Sequence, residues 1–176
     1  MQSDDDAIVA AQIGRPSRAN TEVMRRCDWN LPLVVRMPPT LNTGEPFPTR
    51  YWLSCPLLHK RVARIEAEGG VQHADERLRT DDDFAATMAA ANERYREDRE
   101  SADANSGSER LARGGVGGAT GGIKCLHAHL AHALATDENP LGAEIVQHVF
   151  PVDCDQPCVI RADSGYKRND LWREPK

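Results

Sequence analysis

Aromatic residues make up only 5% of this 176-residue chain, so its core must rest on Leu, Val, Ile and Ala. No apolar run approaches the roughly 20 residues that a bilayer-spanning helix requires, which argues against a membrane partner. Positive charge is also scarce: 22 Lys and Arg face 27 Asp and Glu, for a net charge of −5. A general nucleic-acid binder carries a basic stripe that neutralises phosphates, and none is expected here. The opening residues, Met1-Gln2-Ser3-Asp4-Asp5-Asp6, are acidic and polar, unlike a secretory leader. These absences lead us to expect a cytoplasmic protein.

The chain is long enough for one domain with a real core. Five cysteines is an odd count without a regular secreted spacing, so in a reducing compartment they should be free, metal-bound or catalytic. Cys154 and Cys158 stand apart in a Pro- and Asp-rich stretch. They read as structural or incidental, with a weak metal clip or a surface disulfide as the alternatives.

Ser3 followed by three aspartates predicts a helix start, which Ile8, Val9, Gln12 and Ile13 continue until Gly14 and Pro16 end it. Residues 21 to 55 change character. Leu33-Val34-Val35 reads as a strand, Asn42-Thr43-Gly44-Glu45 as a turn, and Thr49 to Leu53 as a second strand, with a third from Glu22 to Cys27. Such a small sheet needs helices on one face. Pro56 predicts a helix with Cys55 as its N-cap, and Leu58, Val62 and Ile65 recur at helical spacing. Thr80 and Asp83 resemble a capping box ahead of the stripe Phe84, Met88, Ala91 and Tyr95, which should be core. Gly114 to Gly122 lacks the lysine and hydroxyl of a phosphate-binding loop and reads as mobile, able to act as a lid. Asn139-Pro140 starts a last helix. The predicted fold class is α+β: a two- or three-stranded antiparallel sheet packed against four or five helices. Residues 1–150 should form one domain with a mobile loop over about 98–122, and 151–176 a loosely attached tail.

The chemistry-bearing side chains gather in Lys124-Cys125-Leu126-His127-Ala128-His129-Leu130-Ala131-His132. In a regular helix from Lys124, Cys125, His129 and His132 share a face and His127 points away. If the chain is still unwound at 125–127, Cys125 and His127 converge instead. Cys55 at a helix N-terminus should have a lowered pKa and nucleophilic character. If the strands ending at Cys27 and Cys55 lie side by side, both thiols would sit at one sheet edge.

Several blocks are familiar together: Gln12-Ile13-Gly14-Arg15-Pro16, Arg26-Cys27 with Leu31-Pro32-Leu33-Val34-Val35, and Pro46-Phe47-Pro48-Thr49 with Tyr51-Trp52-Leu53-Ser54-Cys55-Pro56. To these are added Lys124-Cys125-Leu126-His127-Ala128-His129 and Asn139-Pro140-Leu141-Gly142. The series, over residues 8 to 150, resembles domain-of-unknown-function family 501, a bacterial family common in actinobacteria. The resemblance implies no activity, only that Cys27, Cys55, Cys125 and His127 belong to the family pattern. Here Cys27 is followed by Asp28 instead of the family's proline, and Trp29-Asn30 replaces its Pro/Gly turn.

Three functions are compatible with these residues. In the first, Cys27, Cys55 and Cys125 supply thiolates and His127 or His129 completes a zinc site, or the thiolates hold an iron–sulfur cluster. In the second, a metal-free enzyme uses Cys55 or Cys125 as nucleophile with an imidazole as base on a small-molecule substrate. In the third, the thiols are core and the acidic surface meets a protein partner.

Overall fold

The computed structural model describes residues 4–104 and 112–175 and has the α+β architecture. Helix α1 (Asp4–Ile13) comes first, with Asp4, Asp5 and Asp6 in the first turn beside the positive end of the helix dipole. Ser3, its expected cap, lies outside the described residues. Strands β1 (Glu22–Arg26), β2 (Pro32–Arg36) and β3 (Tyr51–Leu53) form an antiparallel sheet in that order. Val34 pairs with Leu53 and Val35 with Trp52.

The sheet is covered on both faces. Val34, Tyr51 and Leu53 belong to the main core with Leu126, Leu130 and Leu134. Val35 and Trp52 turn the other way, onto Val9 of α1 and onto Met37 and Leu41. This corrects the expectation of helices on one face only. The run Leu33-Val34-Val35 carried the signal, because a strand buried on both sides is continuously apolar instead of alternating.

Helices α2 (Pro56–Ala67), α3 (Gly70–Thr80) and α4 (Asp82–Asp103) follow. The cap of α4 is Asp81, whose side chain accepts the Phe84 N–H at 2.9 Å, so the capping box expected at Thr80 is displaced by one residue. Phe84, Met88, Ala91 and Tyr95 form the predicted buried stripe. The first part of the segment expected to be a mobile loop, residues 98–103, is instead helical, since α4 continues to Asp103; residues 105–111 lie outside the described residues. Beyond them the glycine segment is anchored. Val116 is buried, and its N–H donates to Asn92 at 2.9 Å.

Helices α5 (Leu126–Thr136) and α6 (Pro140–Val149) cross closely. The segment after Phe150, read as a loosely attached tail, packs against the body: β4 (Val159–Ala162) and β5 (Gly165–Arg168) form a hairpin beside α1, and Cys158, Val159 and Trp172 are buried. Among the described residues, no helix is long and apolar enough to cross a membrane.

Candidate functional site

The start of α5 shows how the Cys-His segment is built. Cys125 is extended, with φ −160° and ψ 149°, and is the N-cap residue of α5. The helix begins only after the thiol, so Cys125 does not share a regular helical face with His129 and His132. Glu66, from the last turn of α2, supplies the cap from outside: one carboxylate oxygen accepts the Leu126 N–H at 2.6 Å and faces His127 Nδ1 at 3.1 Å. The other ring nitrogen of His127 faces the His59 carbonyl at 3.2 Å. Both His127 nitrogens thus lie within hydrogen-bond distance of an oxygen atom. Replacing Glu66 by Ala orphans the Leu126 N–H and His127 together. Urea denaturation should show a loss of about 1–3 kcal/mol.

His59 lies beside His127, the ring centroids 4.6 Å apart. Its Nε2 meets the Leu53 carbonyl at 2.8 Å, leaving Nδ1 without a hydrogen bond among the described residues. Burial, and then the neighbouring His127, pull the His59 pKa down, which favours a neutral imidazole. Burial pushes the Cys125 thiol up, opposed by the backbone N–H groups of Ala128 and His127 and by Lys124.

Cys125, His127 and His59 share a cavity of about 150 Å³ with Thr49, Trp52 and Lys124. A second cavity of about 320 Å³ adjoins it through Trp52 and His59, and is lined by Arg15, Lys60 and Arg168. Among the described residues, no carboxylate lines either one. Elsewhere arginines are ion-paired, as Arg26 with Asp5, Arg61 with Asp153 and Arg64 with Glu174. Lys124 instead donates to the Gly117 carbonyl at 3.0 Å and Arg168 to the Gln12 carbonyl at 2.7 Å. Arg15 lies over the Trp52 ring and Lys60 over the Trp172 ring. Among the described residues, none of these four cations is within ion-pair reach of a carboxylate.

The remaining thiols are elsewhere. Cys27 and Cys55 reach the same end of the sheet, their N–H groups donating to Leu31 at 3.0 Å and Leu33 at 3.3 Å. With Cys154 and Cys158 they line a third cavity of only about 10 Å³. Cys55 is the N-cap of α2 as expected, but its pKa is not lowered. Burial pushes it up to about 12, outweighing the Leu58 and Leu57 N–H groups that favour the thiolate.

His129 and His132 are buried among core side chains. The Asn139 amide nitrogen lies 3.1 Å from Nδ1 of each. His132 stacks on Tyr51. The five residues read as metal ligands, Cys27, Cys55, Cys125, His127 and His129, therefore do not surround one cavity. Cys27 and Cys55 go to the sheet end, Cys125 and His127 to the cleft, and His129 faces the start of α6. Among the described residues, no three Cys, His, Asp or Glu side chains stand close enough together to hold a metal ion.

Sequence reasoning missed His59, Glu66, Lys60 and Arg168. His59 and Glu66 are seven residues apart, two turns on one face of α2, and that spacing was available. Arg168 had no signal, because it depends on where the C-terminal hairpin docks. No curated protein and no solved structure matches the chain. The profile of the family described as "Protein of unknown function (DUF501)" matches residues 23–147, most of the chain, and the protein belongs to that family.

Proposed function

We propose that the double cleft around Trp52 and His59 binds a small molecule carrying an anionic group, and that Cys125 is the thiol that reacts with it. The observation that supports this reading is the gathering of Arg15, Lys60, Lys124 and Arg168, without a carboxylate, in a protein of net charge −5. Cations left without partners in a concave site focus a positive potential on whatever enters. Trp52, between the two cavities, offers an apolar face to the rest of the ligand. Neutral His59, with Nδ1 open and lining the same cavity, is suited to accept the Cys125 proton.

Alkylation rates provide the test. Iodoacetate carries the anionic group and iodoacetamide does not, so their rate ratio at Cys125, followed by peptide mapping, reports the local potential. The ratio should exceed that of free cysteine about tenfold or more at low salt, and fall with ionic strength. Lys60→Glu with Arg168→Glu should return it towards the free-cysteine value. A ratio in the native protein equal to that of free cysteine sinks the reading.

A further inference from the structure

The larger cavity beside the cleft is lined by more than cations. Gln12, near the end of α1, stands in the wall between that cavity and the small one at the sheet end, and is only 5% exposed. Its amide orientation is pinned: Nε2 donates to the Pro32 carbonyl at 2.8 Å and lies 3.7 Å from Cys158 Sγ. Pro32 and Cys158 line the small cavity and not the large one, so the amide nitrogen turns away from the cations. Oε1 is left buried without a hydrogen-bond donor among the described residues. The indole N–H of Trp52, which also lines the large cavity, is a second buried polar group without a partner among them.

A buried donor or acceptor left unpaired is costly, so both groups favour a ligand that completes them. Gln12 Oε1 needs a donor and the Trp52 N–H an acceptor, and a hydroxyl offers both. An ammonium also donates, but it would stand beside Arg15, Lys60 and Arg168 with no carboxylate among the described lining residues to offset the repulsion. The cations act on the other end of the ligand. They come from three stretches of chain: Arg15 after α1, Lys60 in α2 and Arg168 at the end of β5. A phosphate monoester carries about 1.5 to 2 negative charges at pH 7 and three acceptor oxygens. That matches three cations better than the single charge of a carboxylate.

We infer that the larger cavity is the specificity pocket for a phosphate monoester of a hydroxylated carbon chain, a ligand of the polyol or sugar phosphate class. Arg15, Lys60 and Arg168 hold the phosphate, and Gln12 Oε1 accepts a hydrogen bond from a neighbouring hydroxyl. Trp52 and His59, which also line the Cys125 cavity, connect this pocket to the thiol. The inference rests on the reading of the double cleft as an anion site and adds which anion enters. Gln12 takes no part in bond making; it separates a hydroxylated ligand from an analogue lacking the hydroxyl, because the analogue leaves its oxygen unpaired.

Isothermal titration calorimetry on the full chain tests this, with glycerol 3-phosphate as the probe and propyl phosphate as its counterpart without hydroxyls. Glycerol 3-phosphate should bind at one site per chain, about tenfold or more tighter than propyl phosphate. Glycerate, with a single negative charge, and O-phosphoethanolamine, with an ammonium in place of the hydroxyls, should each bind about tenfold or more weakly than the probe. Gln12→Leu should remove the preference for the hydroxylated ligand and leave propyl phosphate affinity within about twofold. The comparison between ligands needs no variant, so the proposal stays testable should Gln12→Leu fail to fold. Equal affinities for glycerol 3-phosphate and propyl phosphate overturn it, the result expected if an ordered water serves Gln12 instead. So does an absence of glycerol 3-phosphate binding at millimolar concentration, an equal affinity for glycerate or O-phosphoethanolamine, or a preference that survives Gln12→Leu. The iodoacetate ratio at Cys125 requires no phosphate ester, so a raised ratio without this preference refutes the ligand class and leaves the anion site standing.

Discussion

Taking the protein from pH 7 to pH 5 should remove several kcal/mol of folding stability, with His129 and His132 as the main source. Burial pulls both imidazoles down to about 4; the Asn139 bond opposes this for His129, while His129 itself adds to it for His132. In the unfolded chain they titrate near 6.5. Above that pH both states are neutral at these positions and the native state has its full stability. As pH falls below about 6.5 the unfolded chain takes up protons that the folded chain refuses, so stability declines until about pH 4. The full shift corresponds to on the order of 3 kcal/mol for each ring, and less than the sum for the pair, because each charge opposes the other. His59, also shifted down, adds to the same slope.

Urea midpoints measured between pH 7 and pH 5 check this, a window that stays above most carboxylate titration. His129→Gln with His132→Gln should be less stable at pH 7 but show a much flatter pH profile. An unchanged slope in that variant would falsify the assignment. Asn139 supports the arrangement from the other side: its side-chain oxygen caps α6 through the Gly142 N–H at 2.8 Å, while its amide nitrogen faces both rings.

Gly142→Ala should be among the most damaging single-methyl changes available. A Cβ at position 142 would run into the His129 backbone carbonyl and lie 2.6 Å from the Ala133 Cβ. Neither is the movable end of a flexible side chain, so α5 and α6 must separate. Overpacking of this kind costs about 1–3 kcal/mol and sometimes more. A drop of roughly 5–10 °C in Tm is expected for a chain of this size. Gly121→Ala is the control, since nothing lies within 4 Å of its Cβ position, and it should shift Tm little. Equal effects at the two positions would show that helix approach is not what Gly142 provides.

Much of the fold was legible because its signals are local. Pro56 and Pro140 fall in first helical turns, Asn139 caps α6, and Phe84, Met88, Ala91 and Tyr95 recur at the helical period. The strand run around Leu33 was equally plain, although its lack of alternation needed to be read as burial on both faces. The start of α5 was less legible. Leu126 to His132 fits a helix under either geometry, and only the Glu66 carboxylate, brought from another helix, marks where that helix begins.

Cysteine reading shows where local information ends. Cys55 was placed correctly as an N-cap residue, yet its thiol titrates in the direction opposite to the one a helix terminus predicts. Capping is a property of neighbouring residues, whereas burial depends on what the rest of the chain packs over them. The sequence by itself determined the α+β class, the principal element starts, the family, and the residue types able to do chemistry. Tertiary structure alone decided which of them meet: Cys125 with His59 and unpaired cations, and Cys27 with Cys55 and two cysteines from the C-terminal segment. Secondary structure follows from hydrogen bonds and side-chain periods spanning a few residues. A site is made by segments distant in sequence, and docking the β4–β5 hairpin against α1 brings Arg168 to the cleft and Cys158 to the small cavity at the sheet end.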